Sequence, residues 1–168
     1  MSLQAVKDHL RRFGKAEAVL EFAESSATVA LAAEKVGTEP ARIAKTLAFY
    51  DPEDQTRALL VVAAGDARLH NGSFKRRFGG KPKMVASEDV EALTGHPVGG
   101  VCPFANPDGV SVYLDESLRR FDVVYPAAGT AASAVPFTPA ELEVAAGAAG
   151  WVEVTNGWRD GSGVEAAE

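Results

Sequence analysis

Cysteine is nearly absent from this 168-residue sequence. Cys102 is the only one, so no disulfide can form within the chain. Chains without disulfides are typical of a reducing compartment, and the sequence therefore predicts a cytoplasmic protein. The three histidines are scattered and show no ligand spacing with Cys102, which argues against a structural zinc site.

Long hydrophobic runs are also absent. No window approaches the roughly 18 uninterrupted apolar residues of a membrane span. The first residues carry charges early and lack the apolar core of a secretion signal. We therefore expect no membrane partner. The net charge of −6 argues against broad, non-specific binding to DNA, although it leaves room for one local basic face.

Several familiar catalytic and nucleotide-binding motifs are missing. No Gly-x-Gly-x-x-Gly follows a strand, no P-loop lysine pattern is present, and there is no Gly-x-Ser-x-Gly elbow. These absences argue against a dinucleotide-binding domain, a P-loop NTPase and a serine hydrolase of the α/β type.

The composition is that of one ordinary globular domain. Apolar residues make up 46% of the chain and charged residues 24%. We predict a single domain over residues 1–158, because this length fits one core better than two. Residues 159–168 have almost nothing to bury and are predicted to be a disordered tail.

Helix signals occur at six places along the chain. They are an apolar stripe through Leu3, Val6, Leu10 and Phe13 that Gly14 stops, a helix from a Thr28 cap to about Val36, a short helix starting at Thr38-Glu39-Pro40, a basic helix Asn71–Phe78, a helix opened by Ser87 and ended by Gly95, and a capping box at Thr138-Pro139-Ala140-Glu141.

Strands are predicted at 46–50, 58–64, 83–86, 110–114, 122–125 and 151–155. The continuous apolar run 58–64 is typical of a central strand that is buried on both faces. Several consecutive strands in the second half have no long helix between them. The pattern therefore favours an α+β domain, a single mixed, partly antiparallel sheet with short flanking helices, over a doubly wound parallel sheet.

Two segments are candidates for chemistry. Lys45 lies where an apolar helix end meets an apolar strand, and the alternative is a cation that compensates the helix dipole and extends to solvent. Residues 95–104 hold Gly99, Gly100 and Pro103, and glycines let a ligand approach main-chain N–H groups. The alternative there is an ordinary tight turn before a strand.

A set of short motifs in a fixed order resembles the YbaK family, also called the prolyl-tRNA synthetase associated domain. The resemblance covers roughly residues 22–155. The motifs are Ile43-Ala44-Lys45-Thr46-Leu47, Ala63-Ala64-Gly65-Asp66, Gly99-Gly100-Val101-Cys102-Pro103, Val112-Tyr113-Leu114-Asp115, Phe121-Asp122 and Tyr125-Pro126-Ala127-Ala128-Gly129.

The resemblance implies a YbaK-like fold and an editing activity. Members of the family hydrolyse the ester between a mistaken amino acid and the 3′-terminal ribose of a tRNA. Since the chain has no room for synthetase domains, it resembles the free-standing members that act in trans. Its implied partner is the acceptor end of a mischarged tRNA, with an aminoacyl-tRNA synthetase as a second candidate partner. No metal or organic cofactor is implied.

The resemblance also assigns candidate site residues. The essential lysine of the family falls on Lys45 and its Gly-x-x-x-Pro loop on residues 99–103, so the catalytic candidates are Lys45, Gly99, Gly100 and Val101. The substrate-binding candidates are Thr46, Cys102, Pro103, Ser25, Thr28, Gly129 and Ser133. Capping of a helix is the alternative role for Ser25 and Thr28.

The amino acid that is removed is expected to be small. Many relatives carry an asparagine, a histidine or a carboxylate in the segment that follows Gly129, whereas this chain has Ala131, Ala132 and Ala134. Exclusion by size is a simple way to spare a bulkier correct amino acid. The first hypothesis is therefore a small amino acid on tRNA-Pro.

Five cations fall within nine residues and are candidates for contacts with tRNA phosphates. They are Lys75, Arg76, Arg77, Lys81 and Lys83. A solvated helix face is the alternative for such a run. Phe74 and Phe78 within it are expected in the core.

Two other functions remain open at this point. The first is a non-hydrolytic module that binds a tRNA end or an aminoacyl ligand. The second is a thiol hydrolase that uses Cys102 with His96, although this pair has no evident third group to orient the base.

Overall fold

The computed structural model describes residues 2–24 and 28–158, which form five α-helices and nine short strands. The predicted tail at 159–168 lies outside the described residues. The helices are α1 (Ser2–Arg11), α2 (Val29–Val36), α3 (Asn71–Phe78), α4 (Ser87–Thr94) and α5 (Pro139–Ala146). The strands are β1 (Leu20–Glu21), β2 (Ile43–Asp51), β3 (Asp54–Ala64), β4 (Arg68–Leu69), β5 (Ser111–Asp115), β6 (Tyr125–Pro126), β7 (Ser133–Ala134), β8 (Gly150–Val152) and β9 (Thr155–Asn156).

The main sheet has five strands in the order β6-β2-β3-β5-β8. The β2–β3 pair is antiparallel, and the other three pairs are parallel. Two small antiparallel pairs, β1–β7 and β4–β9, complete the fold. This arrangement confirms the predicted α+β class with a mixed, partly antiparallel sheet.

The apolar strand β3 lies in the middle of the sheet, as its sequence predicts. Leu60 and Val62 pack into the larger core on one face, with the buried Val6 and Leu10 of α1. Leu59 and Val61 pack on the other face into a smaller cluster with Phe49 and Phe74. Successive side chains of a strand point to opposite faces, so a run that is apolar throughout needs cover on both.

Most helix ends follow the local capping signals. The Thr28 hydroxyl accepts a hydrogen bond from the Leu31 N–H at 3.1 Å, and Gly37 ends α2 in the left-handed region. The capping box of Thr138 and Glu141 forms in full at the start of α5. The predicted bounds of α2 and α3 are confirmed. Ser87, however, is the first residue of α4 and not its cap, because Ala86 occupies that position.

Four predictions of local structure are wrong. The segment after Thr38 is only a single 3₁₀ turn, Pro40–Arg42. Residues 83–86 form one isolated bridge between Met84 and Phe49 and no strand. The strand predicted at 122–125 shrinks to β6, and the one at 151–155 divides into β8 and β9, which belong to different sheets. In the three cases that concern strands, pairing with a distant segment, and not the local pattern, sets the strand.

None of the described helices is long and apolar enough to cross a membrane.

Candidate active site

A cavity of about 340 Å³ opens at the start of β2. This volume lies within the range of small-molecule sites. The wall includes the four consecutive residues 43–46, so groups from both faces of the strand reach it. The other lining residues come from α2 and its cap, a later position of β2, residues 84–90, residues 98–101 and residues 125–134. They are Thr28, Val29, Ala32, Ala48, Met84, Val85, Ser87, Val90, Val98, Gly99, Val101, Tyr125, Ala127, Thr130, Ala131, Ser133 and Ala134.

Lys45 is the third residue of β2 and contributes to this wall. The alternative of a lysine at a helix C-terminus is wrong, because strand residues surround it. Its ammonium donates hydrogen bonds to the carbonyl oxygens of Ala67 at 2.5 Å and Gly65 at 3.4 Å. Burial lowers the pKa of Lys45, and the positive charge of Arg68 also lowers it, whereas the charge of Asp66 raises it.

The glycine loop, residues 99–103, lies partly on the wall and partly behind it. Gly99 and Val101 line the cavity. Gly99 has φ +90°, a conformation that favours glycine. The N–H of Gly100 already donates to the carbonyl oxygen of Pro97 at 2.9 Å, whereas the N–H of Val101 has no acceptor among the described residues. Val101, which lines the cavity, therefore has a main-chain N–H without an acceptor in the described part of the chain.

Gly100 supports the loop through its lack of a side chain. A Cβ atom built there would lie 2.6 Å from both the Gly129 carbonyl oxygen and the Thr130 Cα. Such contacts are too short for any real side chain. The glycine loop and residues 129–134 can therefore pack against each other only with glycine at this position.

Cys102 lies behind the cavity wall. It is fully buried and is not among the lining residues. Burial raises the pKa of the Cys102 thiol to about 12. The His96 Nε2 is 3.5 Å from the sulfur but donates to the Phe104 carbonyl oxygen at 2.7 Å, so it has no lone pair for a base. These features favour a packed, protonated thiol over a nucleophile.

Of the remaining substrate-binding candidates, some line the cavity and others lie behind its wall. Thr28, Thr46 and Ser133 line the cavity, whereas Pro103 and Gly129 are buried outside its wall. The Thr46 hydroxyl oxygen is buried and has no hydrogen-bond partner among the described residues. Ser25 lies outside the described residues, so its predicted role stays a prediction.

The five basic residues 75, 76, 77, 81 and 83 are all exposed. No carboxylate within the described ranges pairs with any of them. Phe74 is fully buried against Phe49, and Phe78 packs partly buried beside it, which confirms the expected core positions. Lys83 is followed by Met84, which lines the cavity. The basic segment, residues 75–83, therefore ends one residue before the cavity wall.

The sequence reasoning missed the apolar rim of the cavity. Met84 and Val98 line it and are 54% and 63% exposed, which is unusual for large apolar side chains. Met84 lies next to Lys83 and Val98 next to Gly99, and this adjacency to a predicted site residue is the one signal of the rim in the sequence.

Within residues 2–24 and 28–158, no group of three His, Cys, Asp or Glu side chains could hold a metal ion.

The model of the aminoacyl-tRNA editing domain family matches residues 23–144. The protein YwhH of Bacillus subtilis (strain 168) is 43% identical over 158 residues, which cover 94% of this chain and 99% of YwhH. EbsC of Enterococcus faecalis (strain ATCC 700802 / V583) is named as a candidate Cys-tRNA(Pro)/Cys-tRNA(Cys) deacylase. It is 28% identical over 108 residues, 64% of this chain and 65% of EbsC.

Solved structures show the same fold. The crystal structure of a proposed trans-editing enzyme for prolyl-tRNA synthetase has a TM-score of 0.82 and 32% identity, and the match covers 93% of this chain and 98% of that chain. The crystal structure of the protein APE2540 has a TM-score of 0.78 and 31% identity, with 90% and 99% covered.

Proposed function

Because the chain belongs to the aminoacyl-tRNA editing domain family, we propose that it acts in trans to hydrolyse the ester that joins a small, wrongly attached amino acid to the 3′-terminal ribose of a tRNA. The observation that carries this proposal is the single cavity lined by both Lys45 and the glycine loop. Members of the family are deacylases of mischarged tRNA, and a cavity with these two groups suits that chemistry.

The reaction requires positioning more than a strong protein nucleophile. An aminoacyl ester is already activated, so water can attack it once the ester carbon is oriented and the developing negative charge is stabilised. In this proposal the N–H of Val101 donates a hydrogen bond to the ester carbonyl oxygen, and Gly99 lets the substrate approach the main chain. The protein then needs to supply only geometry and fixed dipoles.

The role of Lys45 is to anchor the terminal adenosine. An ammonium is a compact positive charge that binds phosphate and ribose oxygens. The carbonyl oxygens of Gly65 and Ala67 hold its nitrogen at the edge of the cavity. One ammonium has three donors, so a donor remains for the substrate.

The size of the amino acid follows from the cavity wall. Alanines supply much of it: Ala32, Ala44, Ala48, Ala127, Ala131 and Ala134. Because the cavity of about 340 Å³ must also hold the ribose, the space for the side chain is small. We propose alanine, serine or cysteine on tRNA-Pro as first substrates. Of the two relatives above, EbsC is named for cysteine on tRNA-Pro or tRNA-Cys, and the other for trans-editing with prolyl-tRNA synthetase.

The basic segment is the proposed contact for the acceptor stem. Its five cations are exposed, its last residue precedes the cavity-lining Met84, and no described carboxylate pairs with them. A phosphate backbone entering along residues 75–83 would therefore direct the 3′ end into the cavity. A synthetase that hands over the mischarged tRNA is a second proposed partner.

A deacylation panel tests the proposed function. The substrates are tRNA-Pro charged with alanine, cysteine or serine, and serine on tRNA-Thr or tRNA-Ala, each with its spontaneous hydrolysis subtracted. We expect turnover of at least one mischarged tRNA and none of correctly charged prolyl-tRNA-Pro. Binding without hydrolysis of any member would contradict the proposal and favour the non-hydrolytic module.

A further inference from the structure

The turn between β3 and β4, residues 65–67, binds the ammonium of Lys45. The carbonyl oxygens of Gly65 and Ala67 accept its hydrogen bonds, and Asp66 lies between them. The position of the Lys45 nitrogen therefore depends on the position of this turn. A loose turn would leave the ammonium free to leave the cavity edge.

Asp66 is held by a bidentate pair with Arg120. The two guanidinium nitrogens of Arg120 donate to the two carboxylate oxygens of Asp66 at 2.6 and 3.1 Å. Two parallel hydrogen bonds fix orientation as well as distance. The guanidinium also lies over the rings of Phe121 and Trp158, 4.7 and 4.9 Å from their centroids. It is thus held in place from several sides.

A buried network supports the same turn from behind. The N–H of Ala64, the last residue of β3, donates to the Ser117 hydroxyl at 3.0 Å. The N–H of Ser117 donates to the buried carboxylate of Asp115, which also accepts from the Thr155 hydroxyl at 2.6 Å. The Trp158 indole N–H donates to that Thr155 hydroxyl at 2.8 Å. Buried networks of this kind are rigid when every member is satisfied.

The opposite side of the turn is closed by the main chain. A Cβ atom at Gly65 would collide with the Pro40 carbonyl oxygen and would lie 2.7 Å from a methyl group of Val29. The turn therefore has no room to shift towards α2. It is confined between Pro40 on one side and Arg120 with its aromatic neighbours on the other.

We propose that Asp66 and Arg120 are positioning residues for Lys45: Arg120 clamps the carboxylate of Asp66, and the clamped turn fixes the ammonium at the cavity edge. This inference rests on the proposed function, in which the charged Lys45 anchors the substrate. Neither residue lines the cavity, so both act through Lys45.

The charges around Lys45 decide which variant isolates the clamp. Asp66 and Arg68 are charged groups that act on the pKa of Lys45 in opposite directions, and burial lowers that pKa most. Replacing Asp66 removes an attraction as well as the clamp, so its effect on the pKa of Lys45 mixes the two. Replacing Arg120 removes the clamp and leaves both charges in place, so a released ammonium that gains water should have a pKa closer to its ordinary value.

The first test is an NMR titration of lysine side chains labelled with ¹³C at Cε, with the Lys45 signal assigned from the Lys45→Met variant. We expect Arg120→Met to raise the pKa of Lys45 towards its ordinary value, because the released ammonium is less buried. The control Arg119→Met should leave that pKa unchanged. An unchanged pKa of Lys45 in Arg120→Met would overturn the inference. The titration needs no turnover, so a silent deacylation panel would count against the proposed function alone.

The second test is kinetic and uses neighbouring arginines. We expect Arg120→Met to lower kcat about tenfold or more and to raise KM, because a displaced Lys45 anchors the terminal adenosine less well and misplaces the ester. Arg120→Lys should restore only part of kcat, since one ammonium cannot form the bidentate pair. The control is Arg119→Met, whose guanidinium lies over the Trp151 ring and pairs with Glu116. Equal kcat in the Arg120 and Arg119 variants would contradict the proposal.

Discussion

Gly99 and Gly100 are neighbours in the sequence but have different tasks in the structure. Gly99 is exposed on the cavity wall, whereas Gly100 is buried where the glycine loop meets Gly129 and Thr130. The sequence predicted a main-chain cradle from this pair, and in the structure Gly99 lines the cavity. It could not divide the two tasks, because the close contact of Gly100 is with residues about 30 positions away. Likewise, only the structure shows that the partners of the Lys45 ammonium are carbonyl oxygens of a turn.

Gly100→Ala should lower both the free energy of unfolding and the deacylation activity. The new methyl group would overlap the main chain of residues 129–130, and overpacking of this kind costs about 1–3 kcal/mol. We expect a matching loss in the free energy of unfolding, measured with urea, and a large loss of deacylation. Gly150→Ala is the control, since nothing lies within 4 Å of a Cβ there. Equal stability of the two variants would contradict the packing described for Gly100.

Cys102 should be chemically silent in the folded protein. Its thiol is fully buried, and a pKa of about 12 keeps it protonated at neutral pH. We expect no alkylation by iodoacetamide at pH 8 until urea unfolds the chain, and nearly unchanged deacylation by Cys102→Ala. Because the folded pKa lies above the unfolded value near 9, this thiol favours the folded state less as pH rises from about 9 to 12. Rapid alkylation, or loss of activity in Cys102→Ala alone, would instead favour the hypothesis of a thiol hydrolase.

At the scale of elements, α1 ties together the two loops of the site. The Ser2 hydroxyl donates to the Gly129 carbonyl oxygen at 2.7 Å and lies 2.6 Å from the His96 Nδ1. The apolar stripe of α1 was predictable from its spacing, and so were the capped ends of α2 and α5, because these signals are local. The strands of two residues were not predictable. β1, β4, β7 and β9 exist only through partners far away in the sequence.

Val6→Ala tests the packing of α1. Val6 is fully buried beside Gly129, and we expect a loss of about 2 kcal/mol in the free energy of unfolding. The matched control is Val144→Ala on α5, where the same side chain is 65% exposed and its loss should cost less than about 0.5 kcal/mol. Urea denaturation measures both. Similar losses would show that α1 is not part of the core that supports the site.

At the scale of the whole molecule, a protein of net charge −6 carries an exposed basic segment, residues 75–83, that ends next to Met84 of the cavity that Lys45 lines. Overall charge alone would have argued against a nucleic-acid partner. The local arrangement reverses that argument, because phosphate contacts depend on nearby cations more than on distant carboxylates. The sequence identified these five cations as candidates, and the structure adds that all five are exposed and that Met84, next to Lys83, lines the cavity.

Binding of tRNA should weaken as salt rises. We expect the triple change Lys75→Gln, Arg76→Gln and Lys81→Gln to weaken binding and to reduce the slope of log Kd against log salt by roughly 2. Arg11→Gln is the control, since this exposed arginine lies on α1 and pairs with Asp8. Fluorescence anisotropy with labelled tRNA-Pro measures both slopes. An unchanged slope in the triple variant would place the acceptor stem on another surface.

The most direct test of the whole account is the single-turnover rate at which Lys45→Ala deacylates the best substrate of the panel, with Lys35→Ala of α2 as the control. If the ammonium and the glycine loop act on one aminoacylated ribose, the Lys45 variant should be slower by roughly 10²-fold or more and the control unchanged. A Lys45 variant that keeps the wild-type rate would contradict the central claim.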